Sequence, residues 1–197
     1  PASDIWVHDS FRIEQNFSEI IHNRIGENGV NSLLQNPWNG DEAIGPFLQS
    51  GDVWKKRLVP LEGKDLRAVM SFNANPEPHL VHDMMMVIKT SNGDILTGEN
   101  YDIDGYSTFL PASTDIYSIA KSNETTTSIH IPSEEIDDIE WVDIEVHARY
   151  IAPGNIPSSV GIDGNKVGFS LAVKGVDRDS TKERASNNLL IFLIIPP

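Results

Sequence analysis

Residues 100–105 read Asn100-Tyr101-Asp102-Ile103-Asp104-Gly105, an oxygen-bearing side chain at every second position before a glycine. This matches the first half of a loop that wraps calcium, a hard cation that prefers oxygen donors. The second half fails, because the twelfth position, where a bidentate Glu closes the cage, is Pro111. No helical pattern flanks the loop, so an EF-hand is rejected. Calcium also accepts irregular oxygen cages, which leaves a looser site built from Asp102 and Asp104 with Asp83 or Glu99. A plain acidic turn accounts for the same residues.

His79 and His82 stand three apart with Asp83 beside them. In a loop such a trio suits zinc with an open position, but zinc needs a further ligand that the sequence does not identify. Tyr101, Tyr106 and Tyr117 fall in the polar stretch 98–120 and offer stacking surfaces for a sugar or another surface; loops at the end of a β scaffold are where binding concentrates. Gly-x-Ser-x-Gly and the phosphate-cradling glycine loops are missing, so nothing nominates a nucleophile or a nucleotide. Cysteine is absent, which excludes disulfides, thiolate metal sites and cysteine catalysis. No catalytic residue is assigned.

Fifteen basic against twenty-nine acidic residues give a net charge of -14. That field repels phosphate backbones and anionic lipid, so nucleic acid is not an expected partner. The longest apolar run, Leu189 to Ile195, is seven residues, against roughly 20 for a membrane-spanning helix. The start at Pro1-Ala2-Ser3 reads as a processed or excised product.

The elements that must carry these residues are mostly strands. Period-two alternation begins near residue 51 with Val53, Lys55, Arg57 and Val59 against Trp54, Lys56 and Leu58. Further strands are expected at Leu66–Phe72, Met84–Thr90, Ile95–Thr97, Ser128–Ile131, Trp141–Ile151, Lys166–Val173 and Leu189–Ile195. Asn92-Gly93 signals a tight hairpin, since both residues accept positive φ. In Trp141–Ile151 the apolar Val142, Ile144, Val146 and Ala148 alternate with Asp143, Glu145, His147 and Arg149, which reads as a solvated sheet face. Short strands between turn residues indicate a mainly β domain, a β-sandwich or jelly roll, over residues 51–197. Residues 1–50 form an N-terminal extension, with one strand near Ile5 and Val7 and short helices over 18–25 and 30–34.

Residues 51–175 resemble the C-terminal β-jelly-roll domain that follows the catalytic domain in many secreted subtilisin-like serine proteases. Leu66–Phe72 enters as the family's strand does, and His82-Asp83-Met84-Met85-Met86-Val87-Ile88 stands where the family has Asn-Asp-Leu-Asp-Leu. Ser91-Asn92-Gly93-Asp94 occupies the family's Pro-Asn-Gly turn. Asp143-Ile144-Glu145-Val146 and Gly168–Val173 look like its last strands. The resemblance implies a secreted accessory domain that stabilises or positions a protein partner or parent catalytic domain, with structural calcium near Asp83. Met85 replaces the family's second acid there, which puts calcium in doubt, and none of the protease's catalytic strings occurs. Two other readings compete. One is a carbohydrate- or surface-binding jelly roll working through the three tyrosines. The other is an assembly or capsid-type subunit, an oligomer in which Leu189–Ile195 pairs between copies, as so apolar an edge must be covered.

Overall fold

The computed structural model describes residues 4–9, 47–74, 82–120, 124–153, 159–160 and 165–177. The helices expected over 18–34, the strand expected at Leu189–Ile195 and the histidine His79 lie outside the described residues.

Among the described residues ten strands follow one another: β1 (Ile5–Asp9), β2 (Val53–Leu58), β3 (Leu66–Phe72), β4 (Asp83–Thr90), β5 (Ile95–Thr97), β6 (Thr126–Ile131), β7 (Val142–Tyr150), β8 (Ser159–Val160), β9 (Lys166–Val167) and β10 (Phe169–Lys174). A single helical turn, α1 (Ser133–Ile136), and a 3-10 turn at Ile116–Ser118 are the helical pieces among the described residues. Eight strands form two four-stranded antiparallel sheets, ordered β1-β10-β3-β6 and β2-β7-β4-β5, and β8 and β9 form a two-stranded sheet. Only the β4–β5 hairpin keeps consecutive strands of these eight in one sheet; every other connection crosses to the second sheet. That hairpin is closed as its Asn-Gly pair requires, with Thr90 N donating to Asp94 O and Gly93 N to Thr90 O. The strand at Ile5–Asp9 is hydrogen-bonded to β10, in register from Ile5↔Lys174 to Asp9↔Ser170.

Alternation explains the first sheet. In β3, Leu66, Ala68, Met70 and Phe72 point inward, and Phe169, Leu171 and Val173 of β10 do the same. They join Met84, Met86, Ile88, Val142, Ile144 and Val146 of the second sheet in one apolar cluster. Trp54 packs against this cluster, edge-on to Phe169 and stacked on Trp6.

The second sheet departs from simple alternation. β4 and β7 are buried on both faces over most of their length. On the outer side Met85, Val87 and Ile95 form a second apolar cluster with Ile116, covered further by Leu110 and Ile119. The β5–β6 connection therefore folds back across the sheet. Its near end is fixed by a bridge in which Ile95 N donates to Leu110 O and Leu110 N to Ile95 O.

Candidate functional site

Among the described residues, the outer face of the second sheet brings together the largest group of interacting charges. Register places Arg57 of β2 and Lys89 of β4 opposite Asp143 of β7, and Lys55 opposite Glu145. Arg57 grips Asp143 with two hydrogen bonds, Nε to Oδ1 at 2.8 Å and Nη2 to Oδ2 at 2.7 Å. Lys55 reaches Asp143 at 2.8 Å and Glu145 at 3.4 Å. Lys89 holds Glu145 Oε2 at 2.9 Å, and the same oxygen lies 2.9 Å from His147 Nε2. The Tyr117 hydroxyl, from the crossing connection, is 3.3 Å from His147 Nδ1. Arg149 donates to Asp83 Oδ1 at 3.0 and 2.9 Å and to Ile119 O at 2.7 Å.

These acids do not form the solvated face that alternation suggests. Asp143 is 2% exposed, Glu145 5% and His147 5%. Lys55, Arg57 and Lys89 reach over them with side chains that themselves stay roughly half exposed, as long cationic side chains do when the stem lies along the surface and the head meets water. Arg57 also lies 3.7 Å over the Trp141 ring, which fixes the guanidinium in place.

The electrostatics follow from this placement. The Arg57 hydrogen bond holds the Asp143 carboxyl below its ordinary range against the cost of burial, with Lys55 adding to the effect. Burial alone would raise Glu145, but Lys89 and His147 outweigh it, and its carboxyl also sits low. His147 is pushed below its ordinary value by burial; Glu145 works against the shift, and Lys89 and Arg149 reinforce it. A neutral imidazole that donates Nε2–H to Glu145 and accepts the Tyr117 proton at Nδ1 fits every contact. Beside this network lies an open depression of about 560 Å³, walled by Lys55, Arg57, Lys89, Thr114, Ile116 and Trp141.

The residues singled out from the sequence divide between the two sheets. Tyr117 stands on the second sheet, over His147. Tyr101 and Tyr106 lie against β6 of the first: the Tyr101 hydroxyl donates to Ser128 O, and the Tyr106 ring packs tilted against His130 with centroids 4.6 Å apart. The three tyrosines are therefore no single platform. Asp102 caps its own turn, with Oδ1 accepting from Asp104 N and Tyr106 N, both at 2.9 Å. Asp83 is on β4, committed to Arg149. Glu99 and Tyr101 line a separate depression of about 340 Å³ with Arg67, Glu124 and Thr127. His82 is fully buried and its Nδ1 accepts from Ala152 N at 3.2 Å. Among the described residues no three His, Cys, Asp or Glu side chains are placed to share a metal ion, and no helix is long and apolar enough to cross a membrane.

Lys89, Lys55 and the Tyr117–His147 contact were not singled out from the sequence. The cross-strand register that brings them to β7 carries no local signal; only the alternating acids of β7 point to the place.

No family model matches the chain, and no curated protein matches it.

Proposed function

We propose that this chain is a non-catalytic jelly-roll subunit that works by associating with further copies of itself. The observation that carries the reading is the strand order. Two sheets of four, β1-β10-β3-β6 and β2-β7-β4-β5, with the chain crossing between them at every step but one, support this reading, because two nested Greek keys wrap a chain in that order. That scaffold serves shells and lectins, and its variable parts are edges and loops. The exposed apolar side chains sit at such places here. Ile5 and Val7 lie on the edge strand β1 at 39% and 63% exposure, and Ile103, at the tip of the β5–β6 connection, is fully exposed. Apolar edges and patches of this kind are covered in stable assemblies, and the apolar run Leu189–Ile195 is a sequence of the type that adds a strand to a neighbour.

Sedimentation velocity over a concentration series tests the proposal. Self-association is expected, and Val7→Lys with Ile103→Lys is expected to weaken it at least about tenfold, one interface hot spot's worth, without changing the circular dichroism. A wild-type chain that stays monomeric throughout refutes it.

A second reading is the secreted accessory domain, resting on the coincidence of the segments that resemble it with β3, β4, the 91–94 turn, β7 and β10. It predicts a monomer that raises the melting point of a protease partner. The carbohydrate-binding reading is weakened by the split of its tyrosines between two sheets.

A further inference from the structure

We infer that residues 111–119 form an acid-released strap, held closed over the second sheet by neutral His147 and lifted when that imidazole takes up a proton. The strap leaves its anchor at Leu110, turns at Ile116–Ser118 and returns at Ile119. Three attachments hold it. Ile116 and Ile119 pack on Met85, Val87 and Ile95; the Tyr117 hydroxyl meets His147 Nδ1; and Arg149 donates to Ile119 O.

His147 sits under the strap among charged groups. Glu145 and Arg149 flank it on β7, Lys89 and Asp83 come from β4 and Lys55 from β2, and the strap brings Tyr117, whose backbone amide donates to Asp115. The Glu145 oxygen nearest the ring is already shared with Lys89. A second proton, at Nδ1, would place a cation in a site 5% exposed, between Lys89 and Arg149. It would also reverse the Tyr117 hydrogen bond, whose hydroxyl must then accept instead of donate. Lifting the strap admits water and removes both penalties. The open form therefore binds the proton more readily, and acid favours it.

The sign follows from linkage. His147 has a depressed pKa when covered and returns toward the ordinary value of about 6.5 when open. The closed strap is thus fully favoured above pH about 6.5 and loses ground as pH falls below it, about tenfold in opening for each unit of difference between the two pKa values. Glu145 and Asp143 have lowered pKa values of their own and act only below about 4.5, so the window above that belongs to the imidazole. Opening uncovers Met85 and Val87, which are 4% and 0% exposed when closed.

Hydrogen exchange of the whole chain, read by mass spectrometry at about pH 7.5 and about pH 5 and corrected for intrinsic rates, tests the strap. Peptides covering 112–119 and the outer positions of β7 are expected to open several-fold or more at the lower pH, while β3 and β10 stay protected. His147→Gln keeps a donor for Glu145 but cannot titrate, and is expected to abolish the pH response. Tyr117→Phe is expected to raise opening at the higher pH and to retain the response. Unchanged protection of 112–119 in the wild type, or the same acid response in His147→Gln, overturns the inference. If His147→Gln does not fold, an NMR titration of the His147 ring in the wild type decides. A midpoint tracking strap opening supports the inference, and one independent of it overturns it.

Discussion

Replacing Gly175 by alanine tests the central contact between the two inner strands of the first sheet. Gly175 follows β10 with φ +80, a conformation that costs an L-residue roughly 1–2 kcal/mol. A Cβ there would stand 2.1 Å from Asp65 O and 2.9 Å from Asp65 C, at the entry to β3. Both neighbours are backbone, so the two segments must separate by roughly 1 Å or more, at an overpacking cost of about 1–3 kcal/mol. The region has little room to yield: Gly175 N donates to Asp4 O and Gly175 O accepts from Leu61 N, both at 2.9 Å. The expected loss is about 2–5 kcal/mol, from the conformational and overpacking costs together. Gly63→Ala is the control. Its φ is +67 with nothing within 4 Å of the added atom, so only the conformational cost of about 1–2 kcal/mol applies. Urea unfolding followed by tryptophan fluorescence measures both. Equal losses at the two positions would refute the packing of β10 against the start of β3.

Other outcomes follow from the charged face. Arg57→Met leaves the buried Asp143 carboxylate on Lys55 alone and is expected to cost about 2 kcal/mol, whereas Asp143→Ala releases two half-exposed cations to water and costs about 1 kcal/mol; chemical denaturation gives the ranking, and the reverse order contradicts it. Melting followed against pH should fall below about 6.5 through His147. It should fall again below about 4.5, where Glu145 and then Asp143 lose the stability their lowered pKa values represent; in His147→Gln only the second fall should remain. Calcium is expected to move the melting midpoint no more than a chelator does, because Asp102 is satisfied by its own turn and Asp83 by Arg149; a rise that saturates with calcium would show a site.

The strands were legible where period two or turn chemistry is strong. Leu66–Phe72 alternates cleanly, and Asn92-Gly93 closes the hairpin where the sequence places it. Met84–Thr90 is expected as a strand, and the structure buries it on both faces; the strap that covers the second face has no periodicity to reveal it. For the same reason Asp143, Glu145 and His147 read as solvated. Their burial is decided by lysine and arginine stems on β2 and β4 and by Tyr117, all distant in sequence. Asp102 and Asp104 show the converse. Their spacing suits a calcium loop, and the same spacing lets an aspartate accept from an amide two residues on, as Asp102 does from Asp104 N.

Electron microscopy of the purified chain at the concentrations where sedimentation shows association tests the assembly reading most directly. Closed particles with point-group symmetry, lost in Val7→Lys with Ile103→Lys, are the predicted result. A field of monomers, or irregular aggregates that the two substitutions leave unchanged, would contradict it.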